Sequence, residues 1–171
     1  MSELLHLHPD PPAAPRYTVR ASEAIMTELV LPNDTNQLGN LLGGKVMHLM
    51  DIAMAIAAAR HTGLVCVTAS VDQIHFLHPI RLGEVVILKA SVNRVFHTSM
   101  EVGVKVYAEN LRKGTLIHSN SAYATFVGLS EEGKPAVSAQ VIPETSEEIR
   151  RFEGALRRRQ MRLESRKQII E

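Results

Sequence analysis

The stretch GNLLGGKVMHLMDIAMAIAAARH, residues 39–61, decides the fold of this chain. From Gly44 to His61 it contains no helix breaker, and Ala, Met, Leu and Ile occupy almost every helical face. A helix that is apolar on all sides is a buried one. Basic residues in its last turn and Gly63 behind them predict where it ends. The stretch therefore predicts one long helix at the centre of the protein.

Asp51 is a carboxylate in the middle of this apolar stretch, and no polar side chain follows it from Ile52 to Ala59. Burying an unpaired carboxylate is costly, so Asp51 has either a basic or backbone partner or a function. Gly43 and Gly44 leave unpaired backbone N–H groups at the helix start, where a carbonyl can approach closely and an oxyanion is stabilised. Asp51 lies roughly 10 Å further along the axis, at ~1.5 Å per residue. It therefore cannot share the terminus of its own helix, but it can face a cleft formed with a neighbouring subunit.

Strand patterns surround the helix in the sequence. A first strand is predicted over 21–32, and four β-type segments follow the helix at 64–76, 83–99, 99–110 and 115–129. Helices and strands do not alternate along the chain, so the predicted class is α+β rather than doubly wound. An antiparallel sheet of about five strands wrapped around one long buried helix is the hotdog fold. Because one sheet covers only part of such a helix, the fold implies at least a dimer.

Composition shifts divide the chain into three predicted parts. Residues 1–19 are predicted to be a flexible, proline-rich N-terminal arm, residues 20–143 the hotdog domain and residues 144–171 a charged C-terminal helix. The arginines of that helix are interleaved with glutamates. We therefore expect a solvated helix that faces ligand phosphates or another subunit, rather than a nucleic-acid or membrane patch.

Overall composition excludes several classes of protein. The chain has 171 residues, 45% of them apolar, with 19 Lys and Arg against 18 Asp and Glu, so its charge does not indicate a nucleic-acid partner. The single cysteine, Cys66, is predicted to be a small core residue in a strand and fits a reducing compartment. No secretory signal and no run of ~20 apolar residues is present. The predicted location is the cytoplasm, without membrane attachment.

Several motifs in one order carry a family resemblance. They are LPNDTNQLGNLLGGKVMHLMD at 31–51, TASVDQIHFLHPIRLGEVV at 68–86, TSMEVGVKVYAEN at 98–110 and VIPETSEEIRRFE at 141–153. With them the chain resembles the acyl-CoA thioesterases of the hotdog superfamily. The most similar branch is that of the brain-type cytosolic acyl-CoA hydrolase and its single-domain bacterial relatives.

The resemblance implies hydrolysis of acyl-CoA to a free fatty acid and coenzyme A, with no cofactor and no metal. It places the family's loop asparagine, in the pattern Gly-Asn-x-x-Gly-Gly, on Asn40 and its helix carboxylate on Asp51. In the family these two residues meet across a dimer interface, beside the backbone donors of the region that includes Gly43 and Gly44. The resemblance also implies a homodimer and, beyond it, a hexamer built from three dimers.

Arg94, Thr98 and Ser99 form a second candidate site. Arginine suits phosphate groups, so these residues could bind the phosphates or the pantetheine amides of coenzyme A. A solvated strand end explains them equally well, and the sequence leaves both readings open.

Other activities find less support in the residues. His75 and His78 are three apart on a strand end without further ligands at metal-binding spacing. Ser70 and Ser99 lie outside any Gly-x-Ser-x-Gly motif of serine hydrolases. A hotdog dehydratase would use a histidine with the helix carboxylate, and His48 keeps that alternative open. An acyl-CoA sensor without catalysis is the remaining alternative, and a thioester assay separates it from an enzyme.

Overall fold

The apolar stretch forms helix α2, Gly43–Thr62, in the computed structural model, which describes residues 16–170 of the chain. The helix ends as predicted. Gly63 adopts the left-handed conformation with φ of 69°, and its N–H donates to the carbonyl of Ala59. Glycine reaches this conformation without the steric penalty that a side chain brings.

Five strands form the main sheet, and all neighbours in it are antiparallel. Their order is β2–β4–β5–β6–β3. Their bounds are β2 Ala24–Leu29, β3 Val65–Val71, β4 Val85–Val95, β5 Ser99–Asn110 and β6 Thr115–Leu129. This curled sheet with α2 against one face confirms the α+β hotdog prediction.

The core lies between α2 and the sheet. Alternate residues of β5 point toward the helix, and Val102, Val104 and Val106 are at most 3% exposed. They belong to the same buried cluster as Met50 and Met54 of α2. The period of two along the strand thus selects the side chains that pack against the helix.

The first strand is shorter than predicted. The sequence pattern suggested a strand over 21–32, but residues Val19–Ser22 form a short helix, α1, and β2 starts only at Ala24. The buried Ser22 hydroxyl donates to the Val19 carbonyl at 2.7 Å and accepts the N–H of Val92 at 2.9 Å. A bond to a distant strand therefore stabilises a helical turn that the local pattern does not reveal.

A small parallel pair of strands also escaped prediction. β1, Arg16–Thr18, pairs with β7, Gln140–Ile142. Strands of three residues are too short to show a recognisable period, and their partners are more than one hundred residues apart in the sequence.

The C-terminal helix α3, Ser146–Ile170, packs one side on the other face of the sheet and leaves most of its residues between 146 and 165 exposed, as expected for a solvated helix. The fully buried Glu101 of β5 accepts hydrogen bonds from Arg158 at 2.6 Å and from Arg162 at 2.9 Å. Asn93 donates a third bond at 3.0 Å. A buried carboxylate is tolerated when its charge and lone pairs are matched in this way. Part of the arginine run therefore anchors the helix instead of facing water.

One side of α2 and the edge strand β3 remain open in the single chain. Met47 is 46% exposed on the helix, and Val65, Val67 and Val71 are 73%, 42% and 49% exposed on the strand. The prediction of burial on all sides thus holds for the side that the sheet covers. A second molecule is needed to cover the other side.

The division into an arm, a domain and a terminal helix stays a prediction, except that residues 16–19, assigned to the flexible arm, lie in β1 and at the start of α1. The prolines of the arm, Pro9, Pro11, Pro12 and Pro15, lie outside the described residues. Within residues 16–170, no helix has both the length and the hydropathy that crossing a membrane requires.

Candidate active site

A cleft of about 290 Å³ opens beside the first turn of α2. Its floor is apolar, because the buried side chains of Leu41, Val46 and Ile80 line it. The polar residues that line it are Asn36, Asn40, His78, Ser119 and Asn120. An apolar cleft with a few convergent polar groups is typical of a ligand site.

Asn36 folds the loop that precedes the helix. Its Oδ1 accepts the N–H groups of Leu38 at 2.9 Å and of Asn40 at 3.2 Å, and its own N–H donates to the Asn40 carbonyl at 2.8 Å. The N–H of Leu41 then donates to the Ile80 carbonyl at 2.7 Å. These bonds hold both asparagines at the mouth of the cleft.

The first turn of α2 carries uncapped donors. Leu42 occupies the N-cap position and has no polar side chain with which to cap the N–H groups that follow. Such groups carry partial positive charge and attract an anion. Lys45 adds a full charge, which Glu28 at 3.0 Å and Asp34 at 3.5 Å offset. The hydrogen bond to Glu28 is the main cause that raises the pKa of Lys45.

Gly44 has no packing reason within the chain to be glycine. A Cβ built at this position would meet no atom within 4 Å, whereas one at Gly43 would meet the Phe76 ring at 3.5 Å. Gly44 has no positive φ, and a glycine inside a helix costs roughly 0.5–1 kcal/mol relative to alanine. The missing side chain is explained if a group from outside this chain approaches the helix closely.

Asp51 lies on the open side of α2 and pairs with the edge strand. The Thr68 hydroxyl of β3 donates to its Oδ1 at 2.7 Å. Asp51 and Gly44 share one helix face, two turns apart and roughly 10 Å along the axis. Asp51 is absent from the lining of the cleft. Each chain therefore presents two candidate half-sites, the cleft with its helix terminus and the Asp51–Thr68 pair.

The structure does not bring the second predicted site to the cleft. Thr98 and Ser99 lie at the hairpin between β4 and β5. Val106 of β5 pairs with Asn120, which lines the cleft. The distance from Ser99 to Val106 along β5 is roughly 23 Å, at ~3.3 Å per residue. The Arg94 guanidinium lies 3.9 Å from the ring centroid of Phe152 and donates to that residue's carbonyl at 3.2 Å. Burial lowers the pKa of Arg94. Within one chain, Arg94 therefore binds α3 through Phe152.

The histidines within residues 16–170 do not assemble a metal centre. His61 is buried, its Nε2 hydrogen-bonds with the Ala139 carbonyl at 2.8 Å, and desolvation lowers its pKa, so it serves as a neutral core residue. Among the residues that the structure describes, no group of three His, Cys, Asp or Glu side chains could hold a metal ion.

Four polar residues near the half-sites were not singled out in the sequence: Asn36, Thr68, Ser119 and Asn120. Asn36 lies in the quoted loop motif, but its spacing from Asp51 carries no local signal. Thr68 and the pair on β6 belong to strands in which serine, threonine and asparagine look like ordinary surface residues. Only contacts distant in sequence distinguish them.

Comparison with known proteins gives a consistent set of relatives. Residues 38–115 match the model of the Thioesterase superfamily. The uncharacterized acyl-CoA thioester hydrolase YkhA of Bacillus subtilis is 41% identical over 139 residues, which cover 81% of either protein. The cytosolic acyl coenzyme A thioester hydrolase of Rattus norvegicus is 38% identical over 149 residues, covering 86% of this chain and 38% of that protein.

Solved structures share the same fold. An apo-hexameric acyl-CoA thioesterase is 38% identical with a TM-score of 0.86, covering 88% of this chain and 97% of its own. An acyl-CoA hydrolase from Staphylococcus aureus, in complex with butyryl coenzyme A, coenzyme A and coenzyme A disulfide, is 33% identical with a TM-score of 0.83, covering 91% of this chain and 97% of its own.

Variants of the Staphylococcus aureus protein have also been solved. Alanine replaces an aspartate, an asparagine or a threonine, and the asparagine variant contains coenzyme A. In that protein's numbering the asparagine lies 15 residues before the aspartate, and the threonine lies 17 residues after it.

Proposed function

This chain belongs to the thioesterase superfamily, and on that premise we propose that it hydrolyses acyl-CoA thioesters to a carboxylic acid and coenzyme A. The single observation that carries the proposal is that one face of α2 presents both uncapped N–H donors, at the helix start, and an accessible carboxylate, Asp51. Thioester hydrolysis needs both: donors for the oxyanion and a base or nucleophile for the carbonyl carbon.

A second copy of the chain would complete each site. Within one chain Asp51 is roughly two turns from the helix terminus, too far to act on a carbonyl held there. If two copies pack their open α2 faces and β3 edges together around a two-fold axis, Asp51 of one copy meets the cleft of the other. Two equivalent sites result, each with Gly44 and a loop asparagine from one subunit and Asp51 from its partner.

Two asparagines of the loop, Asn36 and Asn40, are candidates for the catalytic asparagine. Asn40 is the residue that the family resemblance indicates. Asn36 is supported by spacing, since it precedes Asp51 by the same interval as the asparagine of the Staphylococcus aureus protein. The same comparison leads from Asp51 to Thr68, its hydrogen-bond partner. We propose that Thr68 orients the Asp51 carboxylate and that the asparagine positions the water or the carbonyl.

In the proposed reaction, the oxygen atom of water or of the Asp51 carboxylate attacks the thioester carbonyl carbon, while the N–H groups around Gly43 and Gly44 stabilise the oxyanion. Collapse of that intermediate breaks the carbon–sulfur bond and releases coenzyme A as a thiolate, which takes up the proton that Asp51 removed from water or, in the anhydride route, a proton from solvent. Asp51 serves either as general base for the attacking water or as nucleophile that forms an anhydride, which water then hydrolyses. Neither route needs a cofactor. A cytosolic location is proposed by analogy with the rat relative, which is named as a cytosolic enzyme.

The test of the function is a release assay for free thiol across acyl-CoA substrates of increasing chain length. We expect steady release of coenzyme A with a preferred range of chain lengths. A protein that binds acyl-CoA but releases no thiol with any of them would be a sensor, and the proposal would be wrong.

Assembly gives a prediction of its own. The exposed valines of β3 and Met47 of α2 form an apolar surface that a monomer would leave wet, so we expect a dimer as the smallest species. The apo-hexameric relative extends the expectation to three dimers in a hexamer. Light scattering on the purified protein should report about six subunits; two or four would support only the dimer step. An active monomer would contradict the shared site.

Substitution of Gly44 by alanine should separate stability from activity. The helix should gain at most about 0.5–1 kcal/mol, the value for the middle of a helix, because Gly44 is the second residue of α2 and the new methyl group meets no atom of its own chain. If a substrate carbonyl approaches this residue, kcat/KM should nevertheless fall by at least ~10-fold. Thermal unfolding and thiol release measured on one preparation test both parts. Equal activity in G44A would remove Gly44 from the site.

A further inference from the structure

Strand β6 contains a β-bulge beside the cleft. Val106 of β5 pairs with Asn120, but the next residue, Tyr107, pairs with His118, so Ser119 is the extra residue. A bulge interrupts the alternation of side chains and can redirect one of them. Here both Ser119 and Asn120 are directed inward, with 0% and 1% exposure.

The two bulge residues bind the backbone of an irregular segment, residues 75–78. The Asn120 Nδ2 group donates to the His75 carbonyl at 2.9 Å. The Ser119 hydroxyl lies 2.6 Å from the His78 carbonyl and 2.6 Å from Asn120 Oδ1, and its single proton is shared between these acceptors. The segment belongs to no helix or strand. These side-chain hydrogen bonds therefore hold the segment against the sheet, as backbone hydrogen bonds hold paired strands elsewhere.

The segment brings Phe76 to the first turn of α2. The Phe76 ring lies 3.5 Å from the position that a Cβ on Gly43 would occupy. The ring lines the cleft together with both bulge residues. The ring itself is 51% exposed and contributes little to the core. Its position follows from the bonds at either end of the segment rather than from deep packing.

We propose that Ser119 and Asn120 are positioning residues for thioester hydrolysis, which hold Phe76 as the wall of the cleft over the helix terminus. The proposal rests on the proposed function of this cleft. Neither residue needs to touch the reacting atoms. If the wall moves, the thioester loses its alignment with the N–H donors, and misplacement by about 1 Å can cost ~100-fold in rate.

A purely structural role would predict a different outcome, and Ser22 provides the matched control. Ser22 is equally buried and makes two hydrogen bonds through its hydroxyl, to Val19 and Val92, but it does not line the cleft. S22A should therefore lower the melting temperature without changing kcat. N120A and S119A should lower the melting temperature by a similar amount and also lower kcat by about 10-fold to 100-fold.

A double-variant cycle with F76A tests whether the pair acts through the ring. Phe76 is half-exposed, so F76A should fold even if N120A does not. We expect F76A to lower kcat by a similar factor and N120A to add less than about 2-fold in the F76A background, because coupled residues are not additive. Hydrogen exchange over residues 75–78 should accelerate in N120A and remain unchanged in S22A.

The outcomes are distinct. Wild-type kcat in F76A, or in a folded N120A, would overturn the positioning role, as would full additivity of the two losses or unchanged exchange over 75–78. If the wild-type protein itself releases no thiol from any acyl-CoA, the proposed function fails, and so does the catalytic role that rests on it. If the wild-type protein and the variants are all fully active, only the positioning role is refuted.

Discussion

Replacing Asp51 by asparagine should lower kcat for acyl-CoA hydrolysis by at least ~100-fold, the lower end for loss of a general base. The fold should survive, because the amide oxygen can still accept the Thr68 hydroxyl that now lies 2.7 Å from the carboxylate. Binding of a non-hydrolysable coenzyme A analogue should also survive. Thiol release, thermal unfolding and calorimetric titration of the analogue measure the three quantities.

Asp72 offers a matched control for the loss of a carboxylate. It follows the same strand as Thr68, but its oxygens accept hydrogen bonds from Arg162 at 2.8 and 3.0 Å, on the α3 side of the sheet. D72N should therefore affect stability and leave kcat within a few-fold of wild type. If D51N behaves as D72N does, Asp51 has no catalytic role.

Mixing two inactive variants should restore activity if each site is shared between subunits. A mixed dimer of D51N with an inactive asparagine variant has one cleft with both residues intact and one with neither. Random exchange makes half of the dimers mixed, so about a quarter of all clefts recover. Activity should rise toward that level from a background at least ~100-fold lower. N36A and N40A, assayed singly, identify which asparagine variant belongs in the mixture.

The control for this experiment is exchange itself. Mass spectrometry must show the mixed dimers, and a mixture of D51N with itself under the same conditions should gain nothing. Mixed dimers without recovery would mean that Asp51 and the asparagine act within one chain or not at all. If both N36A and N40A are fully active, neither loop amide is catalytic, and the shared site would rest on Asp51 and Gly44 alone.

Local chemistry was enough to predict much of this molecule from its sequence. The uninterrupted apolar run predicted α2, and Gly63 predicted its end, because helix propensity and capping depend on residues within a few positions. The β-type segments at 99–110 and 115–129 predicted β5 and β6 with their observed bounds. The mismatch of Asp51 with its apolar surroundings indicated a site at the helix, since the cost of burying a charge can be read from composition alone.

Only the tertiary structure decided how distant residues meet. The Thr68 hydroxyl on Asp51, the β6 bulge under residues 75–78 and the arginines of α3 on Glu101 all join residues at least 17 positions apart. No local pattern encodes such pairs, because they depend on sheet register and on which face of the sheet a helix covers. The same limit applies to Arg94, which the sequence left open between a phosphate ligand and a solvated strand end and which packs on Phe152 in the fold. The sequence by itself thus determined the central helix, the strand pattern and the catalytic candidate Asp51, while long-range packing decided which residues contact it.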